Sequence, residues 1–366
     1  MKAWVLGGVA AMGVTAGAAM AEAPRVAVDI APVHSLVAQV MQGVGAPDLL
    51  VPQGVSPHDY SMRPSEAQAL QAADVVFWVG PMLTPGLDET IETLAGDAVS
   101  VELAEVEGLA LLEFREKAVF DAHEGHDHEE HDDHEHDDHE HDDHGHAEEG
   151  HDDHDDHDHT DEGHDDHEGH DHDGHDDHDD HAAHEEEDDH GHHHHEGGMD
   201  PHVWLDPENG RAMLSAIAET LAGVDPENAE TYRANAEAAR AELATLIADV
   251  DAQLAPVHDH AFVVFHDAYH YFENRFGLTG AGALLRGDAE APSAARLREI
   301  EHIMEERGVV CVFSEPQFNA KIIRTIAGDA KVAELDPIGV AQDVGPSLYT
   351  EVIATMAETF VGCLKD

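Results

Sequence analysis

Basic side chains are scarce in this chain. Only 17 Lys and Arg stand against 80 Asp and Glu, giving a formal net charge of −63 over 366 residues. Such a field repels phosphate backbones and anionic lipid, so nucleic acid and acidic membrane surfaces are excluded as partners and cations are favoured. Cysteine is nearly absent: Cys311 and Cys363 are the whole complement. In an oxidising compartment an even pair reads as one disulfide, here closing a loop of about 50 residues and worth at most about 4 kcal/mol. The alternative is two separate buried thiols. Enzyme signatures are missing too. The chain has no His-Glu-x-x-His, no glycine-rich phosphate loop and no nucleophile elbow, so binding rather than catalysis is the expectation.

The deepest absence lies between His123 and His195, a stretch with no Lys or Arg and almost no apolar side chain. It holds 27 of the 35 histidines, and residues 121–196 carry 37 acidic side chains, so −37 of the net charge sits here and −26 elsewhere. A segment of this kind has nothing to bury against the entropy of ordering its backbone, so a disordered insert over 121–197 is predicted. Its threefold spacings, as in His151, His154 and His157, bring imidazoles together only in transient turns. Many overlapping weak metal sites follow, and their capacity falls below about pH 6.5 as the imidazoles protonate beside the carboxylates.

The opening stretch "MKAWVLGGVAAMGVTAGAAMAEA" reads as a secretory signal over residues 1–21. Lys2 supplies the positive start, Trp4 to Ala19 the apolar stretch, and Ala19-Met20-Ala21 the small-residue cleavage site. No Cys sits near that site, which argues against a lipid anchor, and the expected compartment is the periplasm. The rest shows two rounds of strand-helix alternation. Residues 24–225 form the first α/β lobe, carrying the insert, and residues 257–366 the second. Strands such as "DVVFWVG" and "VVCVFSE" are near-continuous apolar runs of the kind buried in parallel sheets. Between the lobes, residues 226–256 have no internal Gly or Pro, and Tyr232, Ala236, Ala239, Leu243, Leu246, Val250 and Leu254 recur at spacings of three and four. This is one long helix, predicted to be a rigid strut joining the lobes.

Ligands of parallel α/β sheets gather at the carboxyl ends of strands. Three histidines outside the insert stand in that position or in turn-rich loops: His58 in "QGVSPHDYSMRP", His202 in "MDPHVWLDP" and His266 at the end of "AFVVFHD". Asp336 likewise ends "VAELDPIG". Two of these four come from each lobe. Three imidazoles and one carboxylate suit tetrahedral Zn²⁺, whereas Ca²⁺ or Mg²⁺ would require more oxygens. Glu315, at the end of "VVCVFSE", is a candidate acceptor for orienting a ligand imidazole.

At these motifs the chain resembles the periplasmic zinc-binding proteins of ABC importers, the ZnuA-type members of the metal-binding solute-binding proteins. "GVSPHDYSMRPS", "VVFWVGP", "DPHVWLDP", "FHDAYHYF", "FSEPQF" and "LDPIG" stand in this family's order, and the His-rich insert falls where the family carries one. The resemblance implies two lobes joined by a long helix. It implies metal ligands at His58, His202 and His266, with Asp336 near the fourth position. Zn²⁺ is then the transported ligand, an ABC permease and its ATPase are the partners, and the chain is a monomer. Manganese-binding relatives place Glu where this chain has His266. A manganese or broad divalent-metal protein of the same fold is the main alternative, and a zinc-dependent hydrolase a remoter one. His270, one helical turn after His266, departs from the pattern and is expected to be solvated. His34 lies on the ligand side of the first lobe.

Overall fold

The computed structural model describes residues 23–115, 117–120, 198–285, 293–316 and 320–365. The expected signal segment 1–21 and the insert 121–197 lie outside the described residues. Each lobe is built on a four-stranded parallel sheet. The first lobe runs β1 (Val26–Val28), α1 (Ala31–Val40), β2 (Asp48–Leu49), α2 (Pro64–Gln71), β3 (Val75–Trp78), α3 (Leu87–Leu94) and β4 (Val99–Glu102), with strand order β2-β1-β3-β4. After the insert come α4 (Pro207–Val224) and α5 (Ala229–Leu254). The second lobe follows as β5 (Phe262–His266), α6 (His270–Phe276), β6 (Gly280–Leu285), α7 (Ala294–Glu306), β7 (Cys311–Ser314), α8 (Ala320–Ala327), β8 (Lys331–Glu334) and α9 (Leu348–Leu364). Its order, β6-β5-β7-β8, repeats that of the first sheet. None of the described helices is long and apolar enough to cross a membrane.

The apolar runs become buried strands because parallel sheets are covered on both faces. Every residue of β1, β3, β5, β6 and β7 is buried. The edge strands β4 and β8 are largely exposed and carry polar or charged side chains, which discourages further pairing. Helix starts are set locally. Asp206 caps α4 by accepting from the Glu208 amide, with Pro207 in the first turn, and Ser293 caps α7 by accepting from Arg296.

The long helix is more than a connection. Tyr232, Ala236, Ala239, Leu243, Val250 and Leu254 of α5 are all buried, and Leu246 packs against the same core. That core is continuous: it takes Val28 and Phe77 from the first sheet, Leu214 and Ile217 from α4, Phe262 and Phe313 from the second sheet, and Phe360 from α9. Smaller apolar clusters cover the outer face of each sheet.

The chain flanking the insert is tied to both lobes. Phe114 donates to the Gly198 carbonyl (3.0 Å) and Asp200 to the Leu112 carbonyl (2.9 Å). Further on, residues 118–120 lie antiparallel along the free edge of β6, with Phe120 donating to Ala281 and Ala283 to Ala118, each at 3.0 Å. Arg115 locks this strap. Its guanidinium pairs with Asp267 and Glu273 and lies 3.5 Å from the Phe120 ring centroid. Cys311 and Cys363 form a disulfide that joins the start of β7 to the end of α9.

Candidate metal centre

His58, His202 and His266 converge from three separate segments. His58 stands on the loop after β2, His202 on the turn that leads from the insert into α4, and His266 is the last residue of β5. One ring nitrogen from each lies within 4.8 Å of the others. Ring centroids are 5.4 Å apart for His58 and His202, 5.7 Å for His58 and His266, and 5.0 Å for His202 and His266. The Nε2 atoms of His58 and His202 are 3.4 Å apart. Two nitrogens bound at about 2.0–2.1 Å to one tetrahedral zinc stand roughly 3.3–3.4 Å apart, so this pair already has the edge length of such a site. His202 and His266 are buried, and His58 is partly open to solvent.

A carboxylate stands behind each of the two buried imidazoles. Asp200 Oδ1 lies 2.7 Å from His202 Nδ1 and also accepts from the His202 amide at 3.0 Å. With Nδ1–H donating to Asp200, the Nε2 of His202 carries the lone pair and lies on the side of His58. Glu315 Oε1 stands 3.4 Å from His266 Nδ1. Both carboxylates are buried. Burial, then the charge of Asp267, pushes the Asp200 carboxyl up to about 7, against lowering by the His202 amide, His270 and Arg115.

Asp336 takes a different place. Its Oδ1 accepts from the Gly339 amide and its Oδ2 from the Ala341 amide, each at 2.9 Å, and the compact cluster consists of the three histidines without it. His270 is partly buried rather than open to solvent, with Nδ1 3.9 Å from Asp200 Oδ2. His34 lies away from the cluster. Its Nε2 contacts the Pro47 carbonyl at 3.0 Å, and burial lowers its pKa.

Three further residues shape the site. Asp200 had a signal, since Asp-Pro-His favours a turn in which the Asp side chain bonds two residues ahead. Trp204, its ring 5.4 Å from that of His202, donates Nε1–H to the Pro337 carbonyl of the second lobe at 2.9 Å. Gln53, five residues before His58, donates to the carbonyls of Gly339 (2.6 Å) and Gln342 (2.8 Å). Neither of these two had a local signal, because their partners lie more than a hundred residues away.

The family model described as "Zinc-uptake complex component A periplasmic" matches residues 26–363. The chain is 43% identical over 346 residues to the high-affinity zinc uptake system protein ZnuA of Brucella suis, covering 94% of this chain and 92% of that protein. It is 43% identical over 358 residues to the protein of the same name from Paracoccus denitrificans, covering 97% and 96%. Among solved structures, a crystal structure of ZnuA superposes with a TM-score of 0.65 at 20% identity, covering 94% of this chain and all of that one. A zinc-bound ZnuA deletion mutant gives 0.64 at 20% identity, covering 94% and 99%. These structures share the two-lobed fold, and the family match spans both lobes, so the chain belongs to the family of periplasmic zinc-uptake component A proteins.

Proposed function

We propose that this protein captures Zn²⁺ in the periplasm and hands it to an ABC permease, with His58, His202 and His266 as the ligands. The convergence of three imidazole nitrogens within 4.8 Å, two from the first lobe and one from the second, carries the reading. An all-nitrogen triad prefers zinc to the hard cations Mg²⁺ and Ca²⁺, which take oxygen donors. The charge of the ion is balanced at one remove: Asp200 and Glu315 stand behind His202 and His266 and raise the basicity of their inner nitrogens. A fourth donor completes the tetrahedron.

Because His266 belongs to one lobe and His58 and His202 to the other, docking of the lobes on a permease provides a means to loosen the site. Residues 1–21 direct export and are removed in the course of it, the mature chain acts as a monomer, and the histidines of the insert gather zinc at high local concentration. The test is zinc titration of His58→Ala, His202→Ala and His266→Ala, each against a competing chelator. Loss of the single tight equivalent in each variant is expected. Retention of it in all three would overturn the ligand assignment.

A further inference from the structure

The two ligands of the first lobe share a feature that coordination does not require. Each stands close in sequence to a side chain hydrogen-bonded to one loop of the second lobe. Gln53, in the His58 loop, uses its amide nitrogen to donate to Gly339 and Gln342. Trp204, two residues after His202, donates to Pro337. The receiving loop follows β8 and is shaped by Asp336, whose two oxygens hold the amides of Gly339 and Ala341. Gly339 has φ +75°, and a Cβ there would lie 2.9 Å from Leu348 and 3.1 Å from Val352. A side chain at that position is therefore disfavoured both by backbone conformation and by space, which suits glycine to the shape the loop takes here. In that shape, Val340 meets the backbone next to Gln53: a Cβ on Gly54 would lie 3.7 Å from its side chain.

We propose that loop 336–342 is a clasp that sets how long zinc is held. Gln53 is its hook on the first lobe, and Asp336 is the residue that builds the receptacle rather than a donor to the ion. This rests on the three histidines being the zinc ligands. Moving His58 and His202 away from His266 separates the lobes at this loop, so the Gln53 and Trp204 hydrogen bonds break as the site opens. His58 is the least buried of the three ligands, and its loop holds Gln53. Opening therefore begins on that side, and Gln53 and Asp336 are positioning residues that act through the His58 loop.

The test uses the full chain loaded with one zinc equivalent and mixed with excess EDTA in a stopped-flow instrument; the slowest phase reports the tight site. Gln53→Ala removes two hydrogen bonds and should speed that phase about tenfold, leaving the association rate unchanged. Asp336→Asn, which offers a donor where an acceptor is needed, should speed it similarly. The double variant should be no faster than the faster single one, since both changes disable one device. Cobalt(II) loaded into Asp336→Asn should show the visible bands of the parent protein, because no donor has left the metal. Thermal unfolding of the metal-free variants checks that both are folded.

A cobalt spectrum that changes in Asp336→Asn, or release that is unaltered in Gln53→Ala, would overturn the proposal, as would additive effects in the double variant. The three histidine variants separate the two ideas. If they abolish the slow phase while Gln53→Ala leaves it untouched, the clasp alone fails. If they leave the slow phase in place, the zinc-site reading fails with it.

Discussion

Asp200 and His202 form a buried pair in which one carboxylate oxygen takes both the backbone amide and the ring Nδ1 of the same histidine, at 3.0 and 2.7 Å. A turn that grips its histidine twice fixes the ring before any ion arrives, so little ordering cost remains at binding. Removing the carboxylate should therefore weaken zinc binding without removing a donor. Asp200→Ala is expected to lose about 10–100-fold in affinity. Asp200→Asn, which keeps an acceptor oxygen but not the charge, should lose less. Competition titrations of the two variants check the order; an Asn variant weaker than the Ala variant contradicts it.

Asp29, just after β1, gives the fold a pH dependence of its own. It is fully buried, and its oxygens accept from Ile30 and Val79, each at 2.7 Å. Burial outweighs these bonds and pushes the carboxyl up from 3.8 to about 7. A carboxyl with a raised folded-state pKa contributes most below its unfolded value, and the contribution is lost as pH rises through the folded one. The stability of the parent relative to Asp29→Asn should thus fall between about pH 4 and pH 7, by up to about 4 kcal/mol. Urea unfolding of both proteins across that range reads the difference, in which the acidic background cancels. A flat difference, or one that rises with pH, refutes the assignment.

The disulfide spans 52 residues of sequence and ties β7 to α9. On the chain-entropy account, closing a loop of that length removes about 4 kcal/mol of freedom from the unfolded state. Cys311→Ala together with Cys363→Ala should lower the melting temperature by several degrees. Zinc affinity should change little, because the bridge joins the start of β7 while Glu315 follows its end. A large loss of affinity with an unchanged melting temperature would show the bridge to be part of the site instead.

Much of this is legible in the sequence, for physical reasons that differ by element. Parallel strands such as Val75–Trp78 are buried on both faces, so they announce themselves as short apolar runs. The face of α5 is written in the spacing of Tyr232, Ala236, Ala239 and Leu243. His58, His202 and His266 are legible because each ends a strand or sits in a proline-rich turn on the ligand side. Glu315 is legible for the same reason. What escapes depends on contacts distant in sequence. Arg115 meets Asp267 across 152 residues, and Gln53 meets Gly339 across 286. The strap at 118–120 is too short to show alternation. Asp336 is visible as a carboxylate at a strand end, but not its bonds to the amides of Gly339 and Ala341, which depend on how the following loop folds back.

Deleting residues 123–195 should preserve the fold, because the deleted chain offers almost no apolar side chain to a core and its flanks are held independently. Phe114 is bonded to Gly198, Asp200 to Leu112, and Phe120 to Ala281, while Arg115 anchors the strap through Asp267 and Glu273. All of these residues survive the deletion, as do His58, His202 and His266. One tight zinc equivalent per chain should therefore remain. Several weaker equivalents should vanish, and with them the fall in capacity below about pH 6.5 that protonation of insert imidazoles causes. A wider deletion, from 112 to 199, should behave differently. It removes Arg115 and the strap, exposes the edge of β6, and leaves Asp267 and Glu273 as buried carboxylates without their cation, a loss of about 3–5 kcal/mol. Calorimetric titration and thermal unfolding of the two deletions separate these outcomes. If the narrow deletion abolishes the tight equivalent, the insert is the primary receptor and the three-histidine site is not. If the wide deletion is as stable as the narrow one, the strap has no part in holding the second lobe.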